Sequence, residues 1–201
     1  MPEISAAIIS HNEENHIVRT LAALKGAVDE IVVVLNQDTN EQTEHICRSH
    51  GARVFRNPFV GYGQQKQFAT ACAMHNLILS IDADEAPDDV LINELNAIRK
   101  GLLTADAYSV GIKNFYCGKW MRFGGINSSK RIRLFNRNKG SWDNPPVHEK
   151  IIMHNGATIF HLKGNILHIA YESREEHLRK LKDMQGLVQK SMLVNLFGLC
   201  C

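Results

Sequence analysis

Asp82, Ala83, Asp84 and Glu85 follow directly on the apolar run 77–81. Carboxylates two positions apart beyond a strand end can present oxygen ligands to a hard divalent cation. Such a cation would bridge phosphate oxygens and neutralise charge on a departing diphosphate. The place suits it, because ligands of open α/β sheets gather outside the carboxyl ends of the strands. A local reading competes, in which Asp82 or Glu85 caps the next helix or closes an Asx turn. His11, Asn12, Glu13 and Glu14 end the first apolar run and would border the same crevice. They would serve equally as a helix start, with Asn12 or Asn15 as cap and the acids at the positive end of the dipole.

In the stretch 142–149, Pro145 and Pro146 stiffen the backbone ahead of His148 and Glu149. Glu149 or Asp143 could take a proton from a hydroxyl within hydrogen-bond reach. Otherwise His148 is structural and Glu149 a surface partner of Lys150. Lys130, Arg131, Arg133 and Arg137 surround an apolar strand. Period two puts Arg131 and Arg133 on one face, turned to phosphates, to a carboxylate or simply to solvent. Lys66 starts a helix near Gly63, from which its tip could reach phosphate or lie free on the surface. Tyr116, Trp120 and Phe123, beside Gly124 and Gly125, could form a sugar-stacking platform or pack a satellite core.

Other chemistries lack their signatures. Gly61 and Gly63 do not complete the GxGxxG spacing of a dinucleotide site, and there is no Walker lysine motif. No GxSxG elbow occurs, and the ten histidines form no HExxH pair.

The hydrophobic pattern predicts the elements that must hold these residues. Strands are expected at 4–9, 31–35, 52–55 and 77–81, with helices between them on the spacing of Ile17, Val18, Leu21 and Leu24, from Thr39 to about His50 and from about Gln64 to His75. Thr39 and Gln42 stand in capping-box spacing, and Pro87 with Asp88 opens a further helix that ends near Gly101. This alternation reads as an α/β unit with a mostly parallel sheet and right-handed crossovers. After Ala107 the rhythm changes to strand-like pieces at 108–113, 130–135 and 159–162, with a long loop over 114–129. Ser173 and Glu176 then open an amphipathic helix whose other face is basic, and the apolar pattern runs to Cys201. That end reads as a membrane or partner contact, or as a polypeptide shorter than its ancestor.

The 201 residues predict one domain with a real core. A net charge of +2 does not suggest wholesale binding to nucleic acid. Five cysteines without CxxC spacing suit a reducing compartment better than a disulfide framework. No apolar run approaches the roughly 20 residues of a membrane span, and no secretory signal opens the chain. The expectation is a soluble protein on the cytosolic side.

In order, SAAIISHNEENHIVRTLAAL, DEIVVVLNQDTNEQT, GYGQQKQFA, ILSIDADE, NFYCGKWMRFGG, RIRLF, PVHEK and ILHIAY resemble family 2 glycosyltransferases. The chain looks most similar to the lipopolysaccharide-core glucosyltransferase branch. The resemblance implies a GT-A fold, Rossmann-like, with a mostly parallel sheet flanked by helices. It implies a glycosyltransferase domain over 1–170, with a nucleotide-sugar half (1–107), an acceptor-side half (108–170) and a C-terminal helix (171–201). The implied reaction inverts the anomeric carbon and uses Mg²⁺ or Mn²⁺. Its donor is a nucleotide-diphosphate sugar, a UDP-sugar such as UDP-glucose first. Its acceptor is a lipid-linked saccharide, and its place is the cytoplasm or the inner face of the bacterial inner membrane. By position, Asn12, Glu13, Asp38, Lys66, Asp82, Arg131 and Arg133 would bind the donor. Asp84, with Asp82, would hold the metal. Glu149 is the expected base and Asp143 the second catalytic candidate. Trp120, Gly124, Gly125 and His148 would face the acceptor.

Two segments depart from that pattern. Relatives end the second strand in Asp, where this chain has Leu35, then Asn36, Gln37, Asp38, Thr39 and Asn40. Leucine cannot accept the hydrogen bonds of base and ribose, and an unmade buried one costs about 1–3 kcal/mol. Asp38 stands in only if the loop bends differently. Where relatives carry HGGWYPDR, positions 123–130 read FGGINSSK. A catalytically inactive nucleotide- or glycan-binding homologue is therefore the second reading, and a nucleotidyltransferase using the same crevice the third.

Overall fold

A computed structural model describes residues 1–116, 119–120, 130–145 and 149–171. Of the predicted helix over 171–201, position 171 belongs to a strand and 172–201 lie outside the described residues, as do Gly124, Gly125 and His148.

Strands β1 (Ile4–Ser10), β2 (Glu30–Asn36), β3 (Arg53–Asn57) and β4 (Leu77–Ser80) alternate with α1 (Glu14–Leu24), α2 (Glu41–Ser49) and α3 (Tyr62–Cys72). They form a parallel half-sheet in the order β3-β2-β1-β4. Next come β5 (Glu85–Pro87), α4 (Asp89–Arg99), β6 (Ala107–Tyr116) and β7 (Lys119–Trp120). The strands β8 (Arg131–Asn136), β9 (Gly140–Trp142), β10 (Ile151–Met153) and β11 (Ile159–Tyr171) complete the described elements. The sheet continues from β4 through β8, β6 and β11 to β5, with β7 beside β6. β8 runs antiparallel to both β4 and β6, and β11 lies parallel to β6. This is the expected α/β architecture, a sheet flanked by helices that turns mixed beyond β4. Both predicted halves contribute to one continuous sheet, since β8 lies between β4 and β6.

The central strands are apolar at nearly every position because both faces are covered. Ile4, Ala6 and Ile8 of β1, with Val33 and Leu35 of β2, pack with Ile17, Leu21 and Leu24 of α1 and Leu91, Leu95 and Ile98 of α4. Ala7, Val32, Val34 and Ile78 point the other way, toward Ala69 and Phe68 of α3 and toward Trp142 and Met153 of the β9–β10 hairpin. The helices α1, α2 and α4 thus cover one face, and α3 with the hairpin covers the other.

Several local expectations are corrected. The cap of α2 is Asn40, whose side chain accepts from the Thr43 N–H at 2.9 Å. The Asn40 N–H is itself held by Asn12 Oδ1 at 2.9 Å, which displaces the start one residue beyond Thr39. Asp88 caps α4 through the Leu91 N–H, so neither Asp82 nor Glu85 is spent on that task. Residues 85–87, expected near a helix start, pair antiparallel with β11. The segment expected as a loop from 114 onward continues β6 to Tyr116, and β7 pairs antiparallel with its end. The strand expected at 159–162 extends to Tyr171, with an irregularity against β6 between His161 and Asn165. No helix among the described residues is long and apolar enough to cross a membrane.

Gly164, inside that irregularity, lies against the start of α4. A Cβ there would sit 2.3 Å from the Leu91 nitrogen and 2.4 Å from its Cα. Backbone cannot step aside as a side chain can. Gly164→Ala is expected to destabilise the fold by about 1–3 kcal/mol, read as a lower urea midpoint with an unchanged slope.

Candidate active site

The parallel strands β1, β2, β4, β6 and β11 end at one edge of the sheet, and antiparallel β8 begins there. The turn 82–85 emerges from β4 at that edge, closed by the Glu85 N–H on the Asp82 carbonyl (3.0 Å). Helix α1 clamps it from one side. The Thr20 hydroxyl donates to the Ala83 carbonyl at 2.7 Å, and Arg19 donates to the Asp84 carbonyl at 3.2 Å.

The acids of this turn divide. Asp82 Oδ1 is 3.0 Å from Lys66 Nζ, and Asp82 Oδ2 is 3.5 Å from Arg133 Nη1. Glu85, buried, accepts from Arg133 Nη2 at 2.7 Å and from the Asp82 N–H at 2.9 Å. Burial opposes the Asp82 charge, but Lys66 and Arg133 outweigh it and hold that carboxyl well below the usual range. Burial pushes the Glu85 carboxyl up, and Arg133 pulls against it. Asp84 alone is turned from these cations. Its Oδ2 lies 3.3 Å from His168 Nε2 on β11.

His168 is a residue that sequence reasoning missed. It sits in the apolar strand run Ile166, Leu167, His168, Ile169, where one imidazole among aliphatics was the available signal. Its Nδ1 lies 2.8 Å from Asn114 Oδ1 on β6. With the Nδ1 proton given to that oxygen, Nε2 is directed at Asp84. Burial disfavours the charged imidazole, yet the hydrogen bond and charge of Asp84, with Glu85 and Asp82 beyond, raise its pKa above the ordinary value.

Arg133 owes its position to a bulge. Tyr108 pairs with Leu134 and Ser109 with Ile132, which leaves Arg133 as the extra residue on β8. Ile132 then shares a packing cluster with Phe135, three positions away, and the period-two expectation fails. Arg133 is buried against Glu85, whereas Arg131 is exposed at the strand's start. They do not act from one face.

Glu149 arrives from the loop that joins β9 to β10. Its Oε1 accepts from Lys66 Nζ at 2.8 Å, across 83 positions of sequence. Asp143 closes that loop, since its N–H donates to the Lys150 carbonyl (3.0 Å) and its Oδ1 accepts from the Lys150 N–H (2.6 Å). Both of these bonds are structural. Lys66, Asp82, Glu85, Arg133 and Glu149 therefore form one cluster, with Asp84 and His168 as a pair beside it.

The remaining expected residues make contacts of their own. Asn12 adopts φ +53° and ties its own loop to Asn40. Glu13 opens α1, its carboxylate 4.0 Å from His16 Nε2. Asp38 is exposed, 3.7 Å from His11 Nδ1. Trp120 is half exposed on β7, edge-on to Phe115 at 5.1 Å. Leu35, by contrast, is wholly buried in the core.

The model of glycosyl transferase family 2 matches residues 5–154. The chain belongs to that family. An uncharacterized glycosyltransferase of Rickettsia typhi is 32% identical over 191 residues, covering 90% of this chain and 64% of the relative. A lipopolysaccharide core biosynthesis glycosyltransferase, LpsC, of Rhizobium meliloti is 26% identical over 155 residues, covering 74% of this chain and 57% of its own. The chain thus spans less than two thirds of these relatives' length. Among solved structures, S. aureus TarS overlaps 60% of this chain and 38% of its own, with TM-score 0.47 and 19% identity.

Mg²⁺ or Mn²⁺, implied by the family resemblance, is compatible with the donors present. Asp84 offers a carboxylate oxygen and His168, once its Nε2 proton is given up, an imidazole nitrogen. Such cations often take few protein ligands and complete their shell with phosphate oxygens and water. Among the described residues no group of three His, Cys, Asp or Glu side chains surrounds one point. Both Asp82 oxygens face cations, Lys66 and Arg133.

Removing Arg133 would strand Glu85. Arg133→Met is expected to cost about 3–5 kcal/mol by chemical denaturation, part of it recovered by adding Glu85→Gln. The depressed Asp82 pKa contributes stability above the ordinary carboxylate value, lost as pH falls toward its folded value. The stability gap between wild type and Asp82→Asn should hold from pH 7 to about 4 and narrow below it, as urea midpoints across that range would show.

Proposed function

We propose that this family 2 chain is an inverting, metal-dependent glycosyltransferase that moves a hexose from a nucleotide-diphosphate donor, UDP-glucose first, to a cell-envelope saccharide. The observation that supports it best is the gathering of Asp84 with His168, and of Glu149 with Lys66 and Asp82, at the carboxyl edge of the sheet. The lipopolysaccharide-core relative of Rhizobium meliloti favours an acceptor of that class. Such acceptors are membrane-linked, so peripheral work at the cytoplasmic face of the inner membrane is part of the same proposal.

Asp84 and His168 would hold Mg²⁺ or Mn²⁺, which when bound neutralises charge on the departing diphosphate. Asn12, Glu13, Asp38 and Arg131, on the loops and strand start along this edge, would line the donor crevice. Glu149 would take the proton of the acceptor hydroxyl while that oxygen attacks the anomeric carbon opposite the diphosphate. One carbon–oxygen bond forms, the bond to the phosphate oxygen breaks, and the configuration inverts.

Glu149→Gln is expected to lower transfer from UDP-glucose to a rough lipopolysaccharide acceptor by about 10²- to 10⁴-fold with donor affinity unchanged. Asp84→Ala and His168→Ala should each remove the Mn²⁺-dependent part of UDP-glucose binding in calorimetry. Equal affinities with and without Mn²⁺ in wild type would reject the metal assignment.

The buried Leu35 favours a second reading, a nucleotide- or glycan-binding protein without turnover, because the end of β2 offers no carboxylate to the base or ribose. Saccharide or nucleotide binding with no transfer from any nucleotide sugar would establish it.

A further inference from the structure

We infer that Lys66 is a positioning residue that fixes the carboxylate of Glu149, and that it is not a ligand of the donor phosphates. The inference rests on the proposal that Glu149 is the base.

An ammonium group has three protons to give and no lone pair. Lys66 directs its nitrogen to Glu149 Oε1 at 2.8 Å and to Asp82 Oδ1 at 3.0 Å, with the Trp142 ring centroid 5.1 Å away. The residue is only 8% exposed. Its charge is thus enclosed by two carboxylates and an aromatic face. A diphosphate would have to compete with those two carboxylates for a nitrogen already nearly closed off from solvent.

The helix that carries Lys66 is shaped for this task. Gly63, Lys66 and Gln67 lie at i, i+3 and i+4 on α3, so they share one face. A Cβ at Gly63 would lie 2.4 Å from the Asp143 carbonyl oxygen, so the loop bearing Glu149 seats directly on the helix. Gln67 Oε1 accepts from the Trp142 N–H at 3.1 Å. The hairpin is therefore docked on α3 at three adjacent positions, and Lys66 is the one that grips the carboxylate. Holding Oε1 leaves Oε2 as the oxygen for the acceptor proton. A base displaced by about 1 Å loses roughly 10²-fold in rate.

The test compares wild type, Lys66→Met, Lys66→Arg and Glu149→Gln by calorimetry with UDP-glucose and Mn²⁺, and by UDP release with rough lipopolysaccharide as acceptor. A phosphate ligand and a holder of the base differ in what they change. The expected result for Lys66→Met is a donor Kd within about twofold of wild type and a kcat lower by roughly 10²-fold. Lys66→Arg, which restores a cation to the same carboxylates, should recover most of that kcat. A Kd at least tenfold weaker with kcat retained would overturn the role of Lys66 alone. If Lys66→Met does not fold, Lys66→Gln, which keeps an N–H donor but no charge, decides: lowered kcat at unchanged Kd supports the role, and weakened donor affinity at unchanged kcat rejects it. Glu149→Gln turning over as fast as wild type would reject the base itself. Wild type that binds no UDP-glucose would reject the donor reading, and this role with it.

Discussion

Two buried cations share three carboxylates at the edge of the sheet, and that exchange of charge governs where everything else can stand. Arg133 is enclosed between Glu85 and Asp82, and Lys66 between Asp82 and Glu149. Asp82 belongs to both. Ion pairs this enclosed contribute little net stability over apolar replacements, but a missing partner is severely unfavourable. The network therefore acts as a constraint on geometry. It joins β4, the bulged strand β8, helix α3 and the β9–β10 loop, four segments far apart in sequence. Because Asp82 and Glu85 are committed to it, Asp84 remains the acid with its face turned to His168.

The parallel half of the fold was legible because its strands are buried on both faces and its helices bury one stripe each. Ile31 to Leu35 and the spacing of Leu91, Leu95 and Ile98 could hardly pack otherwise. The short strands β5, β9 and β10 were not legible. Three residues carry no periodicity, and their pairing is set by a distant partner strand.

The site was partly legible for related reasons. Residue types after a strand end pointed to the turn 82–85, and the proline-stiffened stretch pointed to Glu149. What failed was the geometry between segments. A bulge at Arg133 breaks the alternation on which its pairing with Arg131 was based. Lys66 meets carboxylates instead of standing open, because Glu149 is brought to it across 83 positions. His168 lies in a strand that read as ordinary core, and only the sheet register, which sets it opposite Glu85 and Asn114, brings it to the acidic turn.

The placement of β8 also bears on how the chain is made. β4 has β1 on one side and β8 on the other, yet β8 follows β4 in the chain only after α4 and β6. During synthesis the parallel half can assemble early, leaving one side of β4 unpaired. An apolar strand with free backbone groups invites edge-to-edge association. At ordinary translation speed that side stays open for on the order of seconds. Between the emergence of β4 and the arrival of β8 the nascent chain thus presents an open apolar edge, one that only later sequence closes.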